Sequence, residues 1–186
     1  MDANELITKI QDKDDKTRAA AVLKAAQAGA GAVKQLAEIM ASGEMEVARA
    51  AKNALWQIVR HVGRPAADDE RKSVVAELLT LCESEQPPAV RREVLWMLSE
   101  IAGDETVGAI EPLLANADLR EDARMALQRL PGEKSLLALK AALESAPEDF
   151  RPNIAVSLRQ RGVDIADYPS AKLVPTKATQ VKPVRG

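Results

Sequence analysis

Several residue types that build common functional sites are scarce in this sequence of 186 residues. It has one cysteine, Cys82, and therefore can form no internal disulfide. It has one histidine, His61, which excludes the histidine sets that hold zinc or paired iron ions. Aromatic residues are few as well: Trp56, Trp96, Phe150 and Tyr168.

Charge of one sign and long apolar runs are also missing. The 26 Lys and Arg residues nearly balance the 28 Asp and Glu residues, which leaves a net charge of −2. A protein dedicated to duplex nucleic acid usually carries a net positive charge, so we do not expect a nucleic-acid partner. No apolar run reaches the length needed to cross a membrane, and residues 1–15 lack the apolar core of a signal peptide. We therefore expect a cytoplasmic protein without a membrane partner.

The motifs of common enzyme classes are absent too. The sequence has no phosphate-binding loop ending in Lys-Ser or Lys-Thr, no paired cysteines and no serine nucleophile elbow. Gly29-Ala30-Gly31 follows no strand pattern and is predicted to be a turn between helices. Cys82 follows leucines on a predicted helix, and we expect it to be a buried apolar residue rather than a reactive thiolate. The sequence therefore predicts no catalytic residue, no metal site and no cofactor.

Alanine and leucine are abundant, and a repeated pattern orders them. The 33 Ala and 20 Leu residues exceed a quarter of the chain, which is typical of a helical protein. In the clearest copy, apolar residues follow Val90 at steps of four, three, one and three, which trace one face of a helix. The copies begin at Thr17, Val47, Val90, Leu119 and Phe150. An amphipathic helix is predicted before each copy, at about 3–11, 32–42, 69–85, 105–117 and 133–146.

The run from Val90 to Gly103 and its four relatives resemble HEAT repeats, in particular the short HEAT-like repeats of phycobilisome-lyase type. The resemblance covers about 1–162 and implies an all-α fold of armadillo-like kind. The expected architecture is a right-handed α-solenoid of about five HEAT-like helix pairs with an extended C-terminal arm. We call the helix that precedes each copy its lead helix, and Pro112 should kink or delay the fourth of these. A long loop is expected at 61–69.

The sequence changes character after Gly162. Residues 163–186 contain three prolines and no helical period, and the charged residues after Asp167 are all basic. Those four cations leave a net charge of −6 on residues 1–167. Apolar residues nevertheless recur in this tail, at Leu173, Val174, Val181 and Val184. We expect part of 164–186 to lie in extended form on the acidic lead-helix surface, or alternatively on a neighbouring molecule.

An arginine stands near the start of most copies, at Arg18, Arg91, Arg120 and Arg151. The HEAT resemblance implies that such arginines bond to inter-repeat carbonyls and to acidic turn residues. Asp14, Asp15, Asp118 and Asp149 are the nearby acids. Asp118 and Glu121 also have the spacing of a capping box, in which Asp118 would bond to the free amides of the helix start.

The candidate site lies on the side of the inner helices that faces away from the core. At 100° per residue, Trp56 and Trp96 both point outward on adjacent inner helices, which HEAT solenoids place on their concave surface. Tryptophan with arginine is typical of binding hot spots. The alternative is that each indole leans sideways and fills a gap between repeats, and both can hold. The predicted partner-binding residues are Arg49, Asn53, Trp56, Arg60, Arg92 and Trp96, with Met125, Gln128 and Arg159 continuing the row.

These features favour a non-enzymatic scaffold or adaptor that binds a protein segment in the concave groove. The expected partner segment is extended and either acidic or aromatic-containing. One alternative is an accessory subunit of bilin-lyase or chaperone-like type that acts on a partner protein. A nucleic-acid-binding HEAT-like protein is a third reading, which needs a basic groove on an acidic body.

Overall fold

A computed structural model describes residues 1–83 and 85–169 of the chain. Within these ranges the chain forms helices, turns and loops, and no strand. The α-helices are α1 (Ala3–Ile10), α2 (Asp15–Lys24), α3 (Val33–Ser42), α4 (Met45–Val62), α5 (Asp68–Glu83), α6 (Pro88–Ile101), α7 (Val107–Ile110), α8 (Arg120–Arg129), α9 (Glu133–Ser145) and α10 (Arg151–Gln160). The 3-10 segments in these ranges are Ala25–Ala32 between α2 and α3, Asp104–Thr106 before α7, and Glu111–Ala115 after α7.

The helices of the described ranges pack in chain order as five pairs in two layers. The inner layer consists of α2, α4, α6, α8 and α10, and each of these contacts the next. The outer layer follows the same order, because α3 contacts α5, α5 contacts α7 and α7 contacts α9. Each pair therefore buries its apolar face on its neighbours, which is the all-α solenoid expected from the repeats. The right-handed sense of the superhelix stays a prediction.

The core consists of the apolar steps of the repeat. Val94 and Leu98 on α6 are 0% exposed, and Val90 and Ile101 on the same helix are 2% and 5% exposed. The corresponding residues of the other inner helices join them in one continuous apolar cluster that runs through all five pairs. The helical phase predicted from the sequence is confirmed for this helix.

Proline determines where the fourth lead helix changes form. Pro112 has no N–H for an α-helical bond, and α7 ends at Ile110 and continues as the 3-10 segment Glu111–Ala115. The predicted interruption is therefore confirmed. The long loop predicted at 61–69 is shorter in the structure, because α4 continues to Val62 and α5 begins at Asp68.

The capping box predicted at Asp118 is wrong. The residue that caps α8 is Leu119, and no side chain bonds to the free amides there. The reason lies just upstream, where the Asn116 side chain accepts a bond from the Asp118 amide and the Asn116 carbonyl accepts the amides of Leu119 and Arg120. The Asp118 carbonyl is thereby left free to accept bonds from Arg92 on α6.

The repeated arginines bond to carbonyls and to acidic residues. The carbonyls belong to the arginine's own helix pair, so the expected bonds to inter-repeat carbonyls are not formed by these residues. Arg91 Nε donates to the Cys82 carbonyl at 2.9 Å, and Arg151 Nε donates to the Ala146 carbonyl at 2.9 Å. Arg18 bonds to Asp15 and to the Asp12 carbonyl. Arg120 pairs with Asp149 of the following repeat at 2.8 Å. Two of the four therefore use an acid of the predicted set, and the other two use carbonyls.

The chain turns back after α10 and lies across its end. Gly162 has φ +80°, a conformation that favours glycine, and Val163 N–H then bonds to the Leu158 carbonyl. Arg159 donates to the carbonyls of Ile165, Asp167 and Tyr168. The side chains at 163 and 165 pack against the core. The apolar and basic tail residues on which the docking prediction depends, at positions 172–185, lie outside the described residues.

None of the helices in the ranges 1–83 and 85–169 is long and apolar enough to cross a membrane.

Candidate partner-binding surface

The first tryptophan links two neighbouring inner helices. Trp56 on α4 is partly buried, and its indole N–H donates to Glu93 Oε1 on α6 at 2.5 Å. Lys52, one turn earlier on α4, lies 3.7 Å from the other oxygen of the same carboxylate. The indole therefore leans toward the next repeat and packs against the core, while part of it stays exposed.

The second tryptophan repeats this arrangement one step along the solenoid. The Trp96 indole N–H on α6 donates to Asp122 Oδ1 on α8 at 2.9 Å, and this side chain too is partly buried. Arg92 approaches the same carboxylate, with its Nε 3.6 Å from Asp122 Oδ2. The Arg92 guanidinium also donates two bonds, of 2.9 and 2.8 Å, to the Asp118 carbonyl. Both expectations for the indoles hold together, since each bridges a gap between repeats and remains partly exposed.

The two acceptor carboxylates occupy the same place in the repeat. Glu93 and Asp122 each stand three residues after the start of their copies, where the first two copies have Ala20 and Ala50. An acid therefore appears at this step only in the two copies that follow a tryptophan-bearing copy. Neither acid was among the predicted residues, and this alignment of the copies is the signal that could have identified them.

Two arginines stack on the indoles. The Arg60 guanidinium carbon lies 5.5 Å from the centroid of the Trp56 ring. The Arg129 guanidinium carbon lies 6.0 Å from the centroid of the Trp96 ring, and this arginine also pairs with Glu100. Cations at these distances are attracted to the ring face. Arg129 was not among the predicted residues, because it lies on α8 at a step where the other copies carry no arginine.

A cleft opens beside Trp56, where the carboxyl-terminal ends of α4 and α6 meet. Its volume is about 460 Å³. It has an apolar floor and a charged rim, and its lining consists of Trp56, Val59, Arg60, Gly63, Arg64, Glu100 and Ile101.

The six predicted residues are spread over three successive interfaces between inner helices. Trp56 and Arg60 line the cleft between α4 and α6, and Arg92 and Trp96 turn from α6 toward α8. Arg49 and Asn53 line a separate groove of about 400 Å³ between α2 and α4. Arg49 pairs there with Glu46 at 3.1 Å. The six residues therefore share one layer of helices, with α4 between the two grooves.

Of the residues predicted to continue the row, Met125 is partly buried on α8, and Gln128 belongs to a polar network at the last interface. Arg124 Nη1 on α8 donates to Ser157 Oγ on α10 at 2.5 Å, and Ser157 Oγ donates to Gln128 Oε1 at 2.8 Å. Gln128 Nε2 also donates to Gln160. Arg159, the last residue of the predicted row, holds the chain that follows α10 instead.

The remaining reactive groups show no assembled site. Cys82 is buried, and this burial raises the pKa of its thiol to about 11. In the described ranges no three His, Cys, Asp or Glu side chains stand close enough to hold a metal ion together. Cys82 therefore lies in the protonated, weakly nucleophilic form near neutral pH, as the sequence predicts for a buried apolar cysteine.

The sequence matches no protein-family model and no curated protein. Among solved structures, the chain is similar to an engineered protein, with 22% identity and a TM-score of 0.43 over 85% of this chain and 78% of the other. It is also similar to a designed armadillo repeat protein, with 14% identity and a TM-score of 0.31 over 86% of this chain and 99% of the other. Both neighbours are engineered proteins, and the second is a repeat protein. The architecture given above rests on the contacts within this chain.

Proposed function

We propose that this protein is a non-enzymatic scaffold or adaptor that binds an extended protein segment along its inner helices. The observation that supports the proposal is the pair of partly exposed indoles on α4 and α6, each fixed by a bond to the next helix. An indole held in place offers a large apolar face and loses little conformational entropy when a partner covers it. The expected partner segment is acidic or aromatic-containing.

The open shape of the cleft beside Trp56 favours a peptide over a small metabolite as the ligand. The cleft is open on one side, and the Arg60 guanidinium lies over the Trp56 ring in its wall. Pockets for small metabolites, by contrast, enclose their ligand on most sides. A groove of this kind accepts an extended chain, whose side chains reach the indole and the arginine in turn. The repeats that resemble the phycobilisome-lyase type agree with a role in handling another protein, and they specify no further chemistry.

The test is an affinity experiment in which the purified protein captures its native partner from a lysate of the cells that produce this protein. Replacing both Trp56 and Trp96 by alanine should weaken binding by at least about 2 kcal/mol, the scale of hot-spot truncation. The variant Leu137→Ala is the matched control, because Leu137 is 56% exposed on α9 and lies off the patch. Circular dichroism melting of each variant separates lost binding from lost folding.

A second double variant keeps a six-membered aromatic ring at both positions and removes the five-membered ring with its N–H group. With Trp56→Phe and Trp96→Phe, the aromatic faces remain and most of the partner affinity should remain with them. Binding that is unchanged in the double alanine variant would contradict the proposal. Binding that falls linearly with the logarithm of salt concentration, with a steep slope, would instead indicate phosphate contacts and a nucleic-acid partner.

A further inference from the structure

The cleft at the carboxyl-terminal ends of α4 and α6 contains one positive charge that nothing in the described chain neutralises. Arg64 is occupied, because its guanidinium lies 2.7 Å from Glu70 and donates to the His61 carbonyl at 2.7 Å. Glu100 is occupied as well, since it pairs with Arg129. Arg60 makes neither a hydrogen bond nor an ion pair with any residue of the described ranges; its contact is the ring face of Trp56.

The pairing of Arg64 has an electrostatic signature. Its hydrogen bond to Glu70 lowers the pKa of that carboxyl group, and the Arg64 and His61 charges act in the same direction. Glu70 therefore stays ionised and keeps Arg64 compensated over the whole neutral range. The net charge at the cleft rim is that of Arg60 alone.

The position of Arg60 suits the capture of an anion. Its side chain is exposed, and its guanidinium carbon is held 5.5 Å from the Trp56 centroid. None of its guanidinium N–H groups donates to a residue of the described ranges, so they stay available for the two parallel bonds that a carboxylate accepts. Val59 and Ile101, both nearly fully buried, form the apolar floor beside it.

We propose that this cleft is a carboxylate-binding subsite, in which Arg60 pairs with a glutamate or aspartate side chain of the partner segment while a neighbouring apolar side chain contacts Trp56 and the floor. The inference rests on the proposed function and specifies the chemistry of the segment at one point. One net positive charge matches a monoanionic carboxylate. A phosphate monoester carries close to two negative charges and is normally held by several cations.

Trp56 reports directly on the subsite once the other tryptophan is removed. In the variant Trp96→Phe, Trp56 is the sole tryptophan, and its emission can be followed while a peptide is added. The probes are two acetylated hexapeptide amides of leucine and serine that differ at one central position, which is Glu in one and Gln in the other. We expect saturable binding of both, with the Glu peptide about tenfold tighter, because its charged group adds a charge-assisted hydrogen bond.

Two arginine variants in the Trp96→Phe background identify the group responsible. Arg60→Gln should remove the preference for Glu over Gln. Arg49→Gln should retain it, because Arg49 lies on the same helix but pairs with Glu46 in the other groove. The preference should also shrink as salt concentration rises, since the pair is exposed to solvent.

Several results would overturn the subsite. These are equal affinity for the two peptides, failure of both peptides to saturate, or a preference that survives in Arg60→Gln. A phosphoserine peptide that binds more tightly than the Glu peptide through Arg60 would replace carboxylate by phosphate as the ligand. If Arg60→Gln captures the native partner as well as the parent protein does, while the double tryptophan-to-alanine variant does not, the proposed function stands and the subsite is wrong.

Discussion

The middle interfaces of the solenoid and its last interface use different chemistry on the same side of the inner helices. Between α4 and α6, and again between α6 and α8, an indole N–H donates to a carboxylate on the next inner helix. Between α8 and α10, Arg124, Gln128 and Ser157 bond to one another instead. The first arrangement leaves apolar ring surface exposed, whereas in the second the polar groups bond to one another.

This difference indicates where the protein can recognise a partner. An indole has one donor, and once that donor is used the rest of the ring offers only an apolar face and an attraction for cations. A satisfied arginine and amide network offers few free groups and must be broken before it can bind anything else. Recognition should therefore concentrate on the middle repeats, and the last repeats should serve mainly to complete the stack.

The largest expected effects come from the core that both regions share. Leu98 on α6 and Leu127 on α8 are each 0% exposed, and Leu→Ala at either site should cost about 2–5 kcal/mol through lost burial and a residual cavity. Urea unfolding followed by circular dichroism measures this cost. Similar values at the two sites would show that the core is equally well packed in the two regions. A neutral result at Leu98 would contradict the helical phase.

The chain that follows α10 packs back on the last helix pair. A variant that ends at Gly162 loses the three carbonyls that Arg159 bonds to and the apolar contacts of residues 163 and 165. We expect it to be about 1–3 kcal/mol less stable than a variant that ends at Pro169. Urea unfolding of the two variants measures the difference. Equal stability would show that these contacts contribute nothing measurable.

A double-mutant cycle measures the indole bond that distinguishes the middle interfaces. Trp96→Phe combined with Asp122→Ala should give a coupling energy of about 0.5–1.5 kcal/mol, the net value of one hydrogen bond. Trp96→Phe combined with Ser157→Ala should give none, because these residues belong to different interfaces. Thermal or urea unfolding of all the variants supplies the energies. Equal coupling in both cycles would mean that the two interfaces are not independent.

Cys82 should have no pH-linked effect on stability near neutral pH, and its effect is confined to high pH. Burial raises the pKa of its thiol to about 11, above the ordinary value of 9.0, so folding favours the protonated form. Its contribution to stability is fully present below pH 9 and is lost as the pH rises through 11. Native protein at pH 8 should react slowly with a thiol reagent, and unfolded protein quickly. Equal rates in the two states would show that the thiol is accessible.

The apolar periodicity was sufficient to predict the pairing of helices, because each inner helix repeats the same buried steps. It predicted which way Trp56 and Trp96 point for the same reason, since phase along a helix is a local property. It could not predict their partners. Glu93 and Asp122 lie 37 and 26 residues further along the chain, and their approach depends on how one pair stacks on the next.

The error at Asp118 has a similar origin. The spacing from Asp118 to Glu121 is that of a capping box, but the Asn116 side chain already holds the Asp118 amide. A local pattern was therefore overridden by a competing local bond, and the freed carbonyl was taken by Arg92 from the previous inner helix. Patterns within one helix were predictable here, and bonds between repeats were not.

Hydroxyl-radical footprinting of the protein, alone and bound to its native partner, tests the central claim most directly. Mass spectrometry reports oxidation of each side chain separately. The account predicts that oxidation of Trp56 and Trp96 slows in the complex, while Leu137 on α9 reacts at the same rate in both states. Unchanged oxidation of both tryptophans, with protection on another surface of the solenoid, would contradict it.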